Sequence, residues 1–151
     1  MSQSLVRIYI HLVFSTKDRY PFITAEWKNK LYAYMAGILK SDTASTFHYI
    51  GGMKDHIHIL FCLSKNKSLS DVIHTLKGRS SVWMKENGIH KFAWQGGYAA
   101  FSVSESIIEA TKKYILNQEK HHEKFTFTEE VAHFCKLYKI DQYDENYFTQ
   151  G

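Results

Sequence analysis

The sequence predicts an α+β fold of the split βαβ, ferredoxin-like kind: an antiparallel four-stranded sheet with two helices on one face, followed by a further helix. Three observations carry the prediction. Apolar residues alternate with a period of two at Val6–Phe14 and Asp55–Leu63. They recur at three-to-four spacing in the two stretches that follow these runs. The resulting order is strand, helix, strand, strand, helix, strand.

Val6, Ile8, Ile10, Leu12 and Phe14 share one face of the first strand, and Arg7, Tyr9, His11 and Val13 share the other. Ser15–Arg19 and the chain's one proline, Pro21, mark a loop. Thr24 can cap a helix with Trp27, Leu31, Tyr34, Met35 and Ile38 inward, ending near Lys40, in which Gly37 either weakens the helix or permits close packing. Thr46–Ile50 reads as a second strand, Gly51-Gly52 as a break and Asp55–Leu63 as a third strand, the short connection favouring a hairpin. On the third strand His56, His58, Leu60 and Cys62 face one way, opposite Ile57, Ile59, Phe61 and Leu63. Ser68 with Asp71 resembles a capping box opening a helix that turns Leu69, Val72, Ile73, Leu76 and Trp83 inward and leaves Lys77, Arg79 and Lys85 outside the stripe.

Asn87-Gly88 ends that helix, Phe92–Gly97 is irregular, and Tyr98–Val103 is a fourth strand. A third helix is expected from a Ser104 cap through about His121, with Ile108, Thr111 and Ile115 toward the core and Tyr114 and Gln118 about a quarter turn away. Thr128–Tyr138 forms one more helix, and the last dozen residues read as frayed or docked on a partner. With two helices on one sheet face, the other face is expected to be open. The whole chain, residues 1–151, reads as one domain.

Composition narrows the function without choosing it. A formal charge of +4 permits an anionic partner, and the 15% aromatic content could serve base stacking or simply fill a core. Two cysteines without CxxC spacing indicate neither a disulfide framework nor a cysteine-rich zinc site, and a reducing cytoplasm is the simplest setting. No stretch is long enough to span a membrane, and the run Leu5–Phe14 is interrupted by Arg7 and His11, unlike a signal peptide.

The residues with chemical promise are His56, His58, Tyr114 and Gln118. Two residues apart on a strand, His56 and His58 can offer two imidazoles to one ion; four apart on a helix, Tyr114 and Gln118 can approach that ion together. Such a site would leave positions for phosphodiester oxygens, and a phenol next to the metal could act as a nucleophile. Each residue also has a plain structural role: a sheet-face histidine, a tyrosine packing its ring, a solvated glutamine. His121 and His122 are read as a charge pair at a helix C-terminus, and His11 as making a hydrogen bond on the sheet face.

Taken together, these residues resemble the single-tyrosine transposases of the HUH endonuclease superfamily, which move insertion sequences as single-stranded DNA. The resemblance rests on His11–Lys17 in the first strand, Asp55–Leu60 in the third, Trp94–Tyr98, and Tyr114–Gln118 in the late helix. It implies an RRM-like core with an added helix carrying the catalytic tyrosine, Tyr114. It also implies a divalent metal, magnesium or manganese, held by His56, His58 and Gln118. The implied reaction is cleavage and rejoining of single-stranded DNA hairpin ends through a 5′-phosphotyrosine bond, without an organic cofactor or nucleotide hydrolysis. A homodimer is implied too, often with the tyrosine helix of one subunit completing the other's site. From charge and placement, Arg19, Lys54, Lys77 and Arg79 are the candidate phosphate contacts. The alternatives are a non-catalytic single-stranded nucleic-acid module using the open sheet face, a host-domesticated transposase derivative, or a small metal hydrolase with an enclosed pocket.

Overall fold

A computed structural model describes residues 2–45, 48–141 and 144. Its sheet has the order β2-β3-β1-β4, with every neighbouring pair antiparallel. β1 (Tyr9–Ser15) and β3 (His56–Cys62) form the centre, flanked by β2 (His48–Gly52) and β4 (Ala99–Val103). Strands and helices alternate as the sequence predicts, and the fold class is the expected α+β arrangement.

One face of the sheet presents Ile10, Leu12, Phe14, Ile57, Ile59 and Phe61. It is buried by α1 (Ala25–Ser41), through Leu31, Met35, Ile38 and Leu39, and by α2 (Leu69–Glu86), through Val72, Ile73, Leu76 and Met84. The Ser68 hydroxyl accepts from the Asp71 amide and satisfies an otherwise orphaned donor of α2. Thr24 precedes α1 without such a bond, and a side chain at Gly37 would meet nothing within 4 Å, so that glycine permits no close packing.

The second sheet face departs most from expectation. It is covered, not open. α3 (Ile108–Leu116) lays Ile108 and Ile115 against Tyr9, Leu60, Cys62 and Val103. α5 (Phe127–Leu137) lays Phe127, Val131 and Cys135 against Val13 and Phe101. All seven residues of β1 and all seven of β3 are therefore buried. Tyr9 and His11 have no free surface on which to stack bases, because the helices that follow the split βαβ unit return to its polar face.

Three local readings also change. Gly51-Gly52 is the end of β2 and not a break, and the expected strand start at Thr46 lies outside the described residues. The helix expected from Ser104 to His121 divides into a turn at Glu105–Ile107, α3, and a separate single turn, α4 (Gln118–His121), with the bend at Asn117. Most of the C-terminal dozen also lies outside the described residues.

Candidate active site

β3 sets the frame. His56 and His58 project to the same side, and each ring is held through Nδ1: His56 by Asp55 Oδ1 at 2.8 Å and His58 by His11 Nε2 at 2.8 Å. This leaves both Nε2 atoms facing the same small volume, and ligating histidines are commonly oriented in this way by outer partners. The His11 bond is the sheet-face interaction expected from the sequence, and it orients a site residue.

The other donors come from the covering helices. Gln118 gives its amide N–H to the Tyr114 carbonyl at 3.4 Å, which turns Oε1 toward His56 Nε2 at 3.3 Å and His122 Nε2 at 3.0 Å. Glu130 on α5 places Oε1 2.7 Å from His58 Nε2, 3.3 Å from His122 Nε2 and 3.6 Å from His56 Nε2. The Tyr114 hydroxyl donates to the other oxygen, Oε2. All four residues singled out from the sequence thus meet within one chain, around a carboxylate that was not among them.

The electrostatics follow from burial around that carboxylate. Burial opposes ionisation of Glu130, but hydrogen bonds from His122, His58 and Tyr114 and the charge of His58 hold its carboxyl well below the usual range. Burial, the charge of Glu130 and their hydrogen bond push the Tyr114 hydroxyl upward, so the phenol keeps its proton. Burial and the facing His58 hold His11 well below its ordinary value, and burial also lowers His58. Burial lowers His122 too, but the hydrogen bond and charge of Glu130 outweigh it and raise that ring. With Glu130 ionised, neutral His58 donates from Nε2 and accepts at Nδ1 from His11. Because His11 can accept as well as donate, it supports either tautomer of His58.

This donor set fits a divalent ion. His56, His58 and Glu130 bring their ligand atoms within 4.8 Å of one another, all buried. Neighbouring ligands each about 2.1 Å from an ion lie roughly 3 Å apart, and His56 Nε2 lies 3.3 Å from Gln118 Oε1 and 3.6 Å from Glu130 Oε1.

Glu130 was missed because acids on helices are usually solvated, but a signal was present. Phe127, Val131, Phe134 and Cys135 form the apolar stripe of α5, and Glu130 interrupts it; a carboxylate in a buried stripe needs a partner. His121 and His122 also differ from their expected role as a helix-end charge pair. Both turn inward: His122 bonds Gln118, and the His121 ring lies 4.6 Å from that of Tyr114.

The candidate phosphate contacts separate by position. Arg19 stands beside the site, its guanidinium donating to Thr128 Oγ1 at 3.1 Å and lying over the Phe127 ring. Lys54 is exposed immediately before Asp55. Lys77 and Arg79 belong to α2, on the opposite face of the sheet. Lys77 Nζ donates to the Gln95 and Gly97 carbonyls at 2.7 and 2.9 Å, and Arg79 pairs with Asp42.

Comparison with solved structures finds the same fold in a protein from Deinococcus radiodurans R1 assigned as a transposase, with TM-score 0.62, 23% identity, and coverage of 78% of this chain and 98% of that one. A REP-associated tyrosine transposase bound to a REP hairpin is similar with TM-score 0.56, 13% identity, and coverage of 76% and 70%. At these identities the likeness shows the fold alone. No curated protein matches the chain. Residues 4–118, which carry the sheet, both histidines, Tyr114 and Gln118, match the family described as IS200-like transposases, and the chain belongs to that family of single-tyrosine HUH transposases.

Proposed function

We propose that this transposase cleaves and rejoins single-stranded DNA at hairpin-marked insertion-sequence ends, with Tyr114 as nucleophile and residues 1–151 acting as one domain. The observation that carries the reading is the convergence of His56 Nε2, His58 Nε2, Gln118 Oε1 and the Tyr114 hydroxyl beside a single carboxylate. His56, His58 and Gln118 would hold a magnesium or manganese ion. When bound, such an ion neutralises and polarises a phosphodiester.

The chain's own residues supply the rest. Asp55 and His11 fix the two metal-facing rings. Gly51 lets α3 approach the sheet closely enough to place Tyr114 beside His58, with ring centroids 5.7 Å apart. On attack, the phenol oxygen bonds to phosphorus, the bond to the 3′ oxygen breaks, and a 5′-phosphotyrosine and a free 3′ end result. The Glu130 oxygen that accepts from the phenol is the nearest acceptor for its proton. A groove of about 560 Å³ that reaches Gln118 is lined by both signs of charge, Lys28 and Lys120 with Glu119 and Glu123, and Lys28 pairs with Glu119 at 3.2 Å. Among the described residues no helix is long and apolar enough to cross a membrane.

A homodimer is part of the proposal, but within one chain Tyr114 already sits at that chain's own histidines. The test is incubation with labelled single-stranded DNA bearing imperfect hairpins. Manganese-dependent cleavage that disappears with chelator and in His56→Ala supports the reading; cleavage indifferent to both contradicts it.

A further inference from the structure

We propose that α5 is a metal-docked segment: Glu130 is a ligand of the ion held by His56 and His58, so that ion binding tightens the seat of α5 on the sheet and ion loss loosens it. This rests on the metal reading above and extends it to a part of the chain outside the family match, which ends at residue 118.

Three observations support it. First, Glu130 is 3% exposed, and its Oε1 faces both metal-facing imidazoles while Oε2 is engaged by Tyr114. One carboxylate oxygen can therefore bind the ion without giving up the contact to the tyrosine. Second, two histidines alone leave an ion's positive charge uncompensated in a buried site, and a buried carboxylate offsets it. Third, the same helix packs rings directly on the site, Phe127 4.3 Å from the His56 ring and Phe134 5.0 Å from that of His11, so that a change at the histidines is felt by α5. Beyond its apolar stripe on Val13 and Phe101, Arg19 donates to Thr128 and the Tyr138 hydroxyl donates to the Ser102 carbonyl. Without an ion, Glu130 is held by hydrogen bonds from His58, His122 and Tyr114. With one, the contact becomes a coordination bond, and metal affinity includes the free energy of seating the helix.

Cys135 reports the seating. It lies on α5, buried at 6% exposure against the sheet, and reacts with a thiol reagent only when α5 lifts. Labelling at Cys135 is followed by mass spectrometry, so that Cys62 does not contribute, and Mn²⁺ affinity is measured by calorimetry and by the Mn²⁺ spin-resonance signal. The comparison is between the full-length protein, Glu130→Gln, and the exposed-site control Glu123→Gln.

The expected result is that Mn²⁺ slows Cys135 labelling in the unaltered protein and in the control. Glu130→Gln binds Mn²⁺ roughly tenfold or more weakly and shows no such protection. Unaltered protein that binds Mn²⁺ with labelling unchanged or faster overturns the docking, and this reading does not depend on the variant folding. Equal Mn²⁺ affinity in Glu130→Gln overturns the ligand role while leaving the His56/His58 site standing. Absence of Mn²⁺ binding to the unaltered protein overturns both.

Discussion

A β-carbon on Gly51 would lie 2.8 Å from the Ile115 carbonyl carbon and closer still to its oxygen, so α3 rests directly on the backbone of β2. Gly51 stands opposite His58 in the ladder, and Ile115 follows Tyr114. The spacing between Tyr114 and the histidines thus depends on a missing side chain. Gly51→Ala must push α3 outward, costing about 1–3 kcal/mol of stability by overpacking. Because displacement of about 1 Å can cost on the order of 100-fold in rate, cleavage should fall far more than the fraction folded. Denaturant titration and a cleavage assay on the same sample check this; activity tracking the folded fraction alone would show that the contact does not position Tyr114.

Two of the candidate cations, Lys77 and Lys54, should part company. Lys77→Ala removes a charged donor from two carbonyls and should lower stability by about 2 kcal/mol, while changing DNA affinity little. Lys54→Ala should leave the melting temperature unchanged and weaken single-strand binding, reducing the slope of log affinity against log salt by about 0.7. Binding titrations across salt concentrations decide; a Lys77 slope change as large as that of Lys54 would place DNA across α2 as well.

Stability of the metal-free protein should peak near pH 6.5. His11 and His58 have depressed values in the folded state, so below the unfolded value of 6.5 the unfolded chain binds protons that the fold refuses. Their contribution is present above 6.5 and is lost as pH falls toward their folded values, at up to about 1.4 kcal/mol per pH unit for each ring. His122 has the opposite sign: its folded value is raised, so its contribution is full below 6.5 and is lost as pH rises through the folded value. Below 4.5 the depressed Glu130 adds a further acid loss. Chemical denaturation in chelator from pH 4 to 9 measures the curve, and stability rising as pH falls from 6.5 to 5 would contradict the neutral assignment of the buried pair.

Tyr114 and His58 of one chain face each other, which bears on how a dimer would share its sites. Mixing Tyr114→Phe with His56→Ala subunits should restore little cleavage if the tyrosine acts where this structure places it. Recovery toward a quarter or more of normal activity would show that α3 and α4 exchange between subunits when DNA is bound.

The sheet, the two core helices and the same-face placement of His56 and His58 were legible because alternation and three-to-four spacing record which face is buried. What was not legible depended on contacts distant in sequence. Gly51-Gly52 looks like a break because paired glycines usually mark one, and only the approach of Ile115 explains a glycine inside a strand. The bend at Asn117 leaves no mark, since Ile108 and Ile115 keep helical spacing across α3 and no glycine or proline interrupts Ser104–His121. The open sheet face was inferred from the split βαβ unit taken alone, whereas α3 and α5 supply its cover. Glu130 became visible as a site residue only when α5 was placed over His58.

The central claim is that Tyr114 carries the chemistry, and the most direct measurement is the mass of the protein after reaction. Single-stranded element-end DNA and manganese should yield a denaturant-resistant adduct. After nuclease trimming and proteolysis, it should map to Tyr114 as a phosphodiester to a 5′ nucleotide, and it should be absent in Tyr114→Phe. Cleavage without any adduct, or an adduct that persists in Tyr114→Phe, would contradict the assignment.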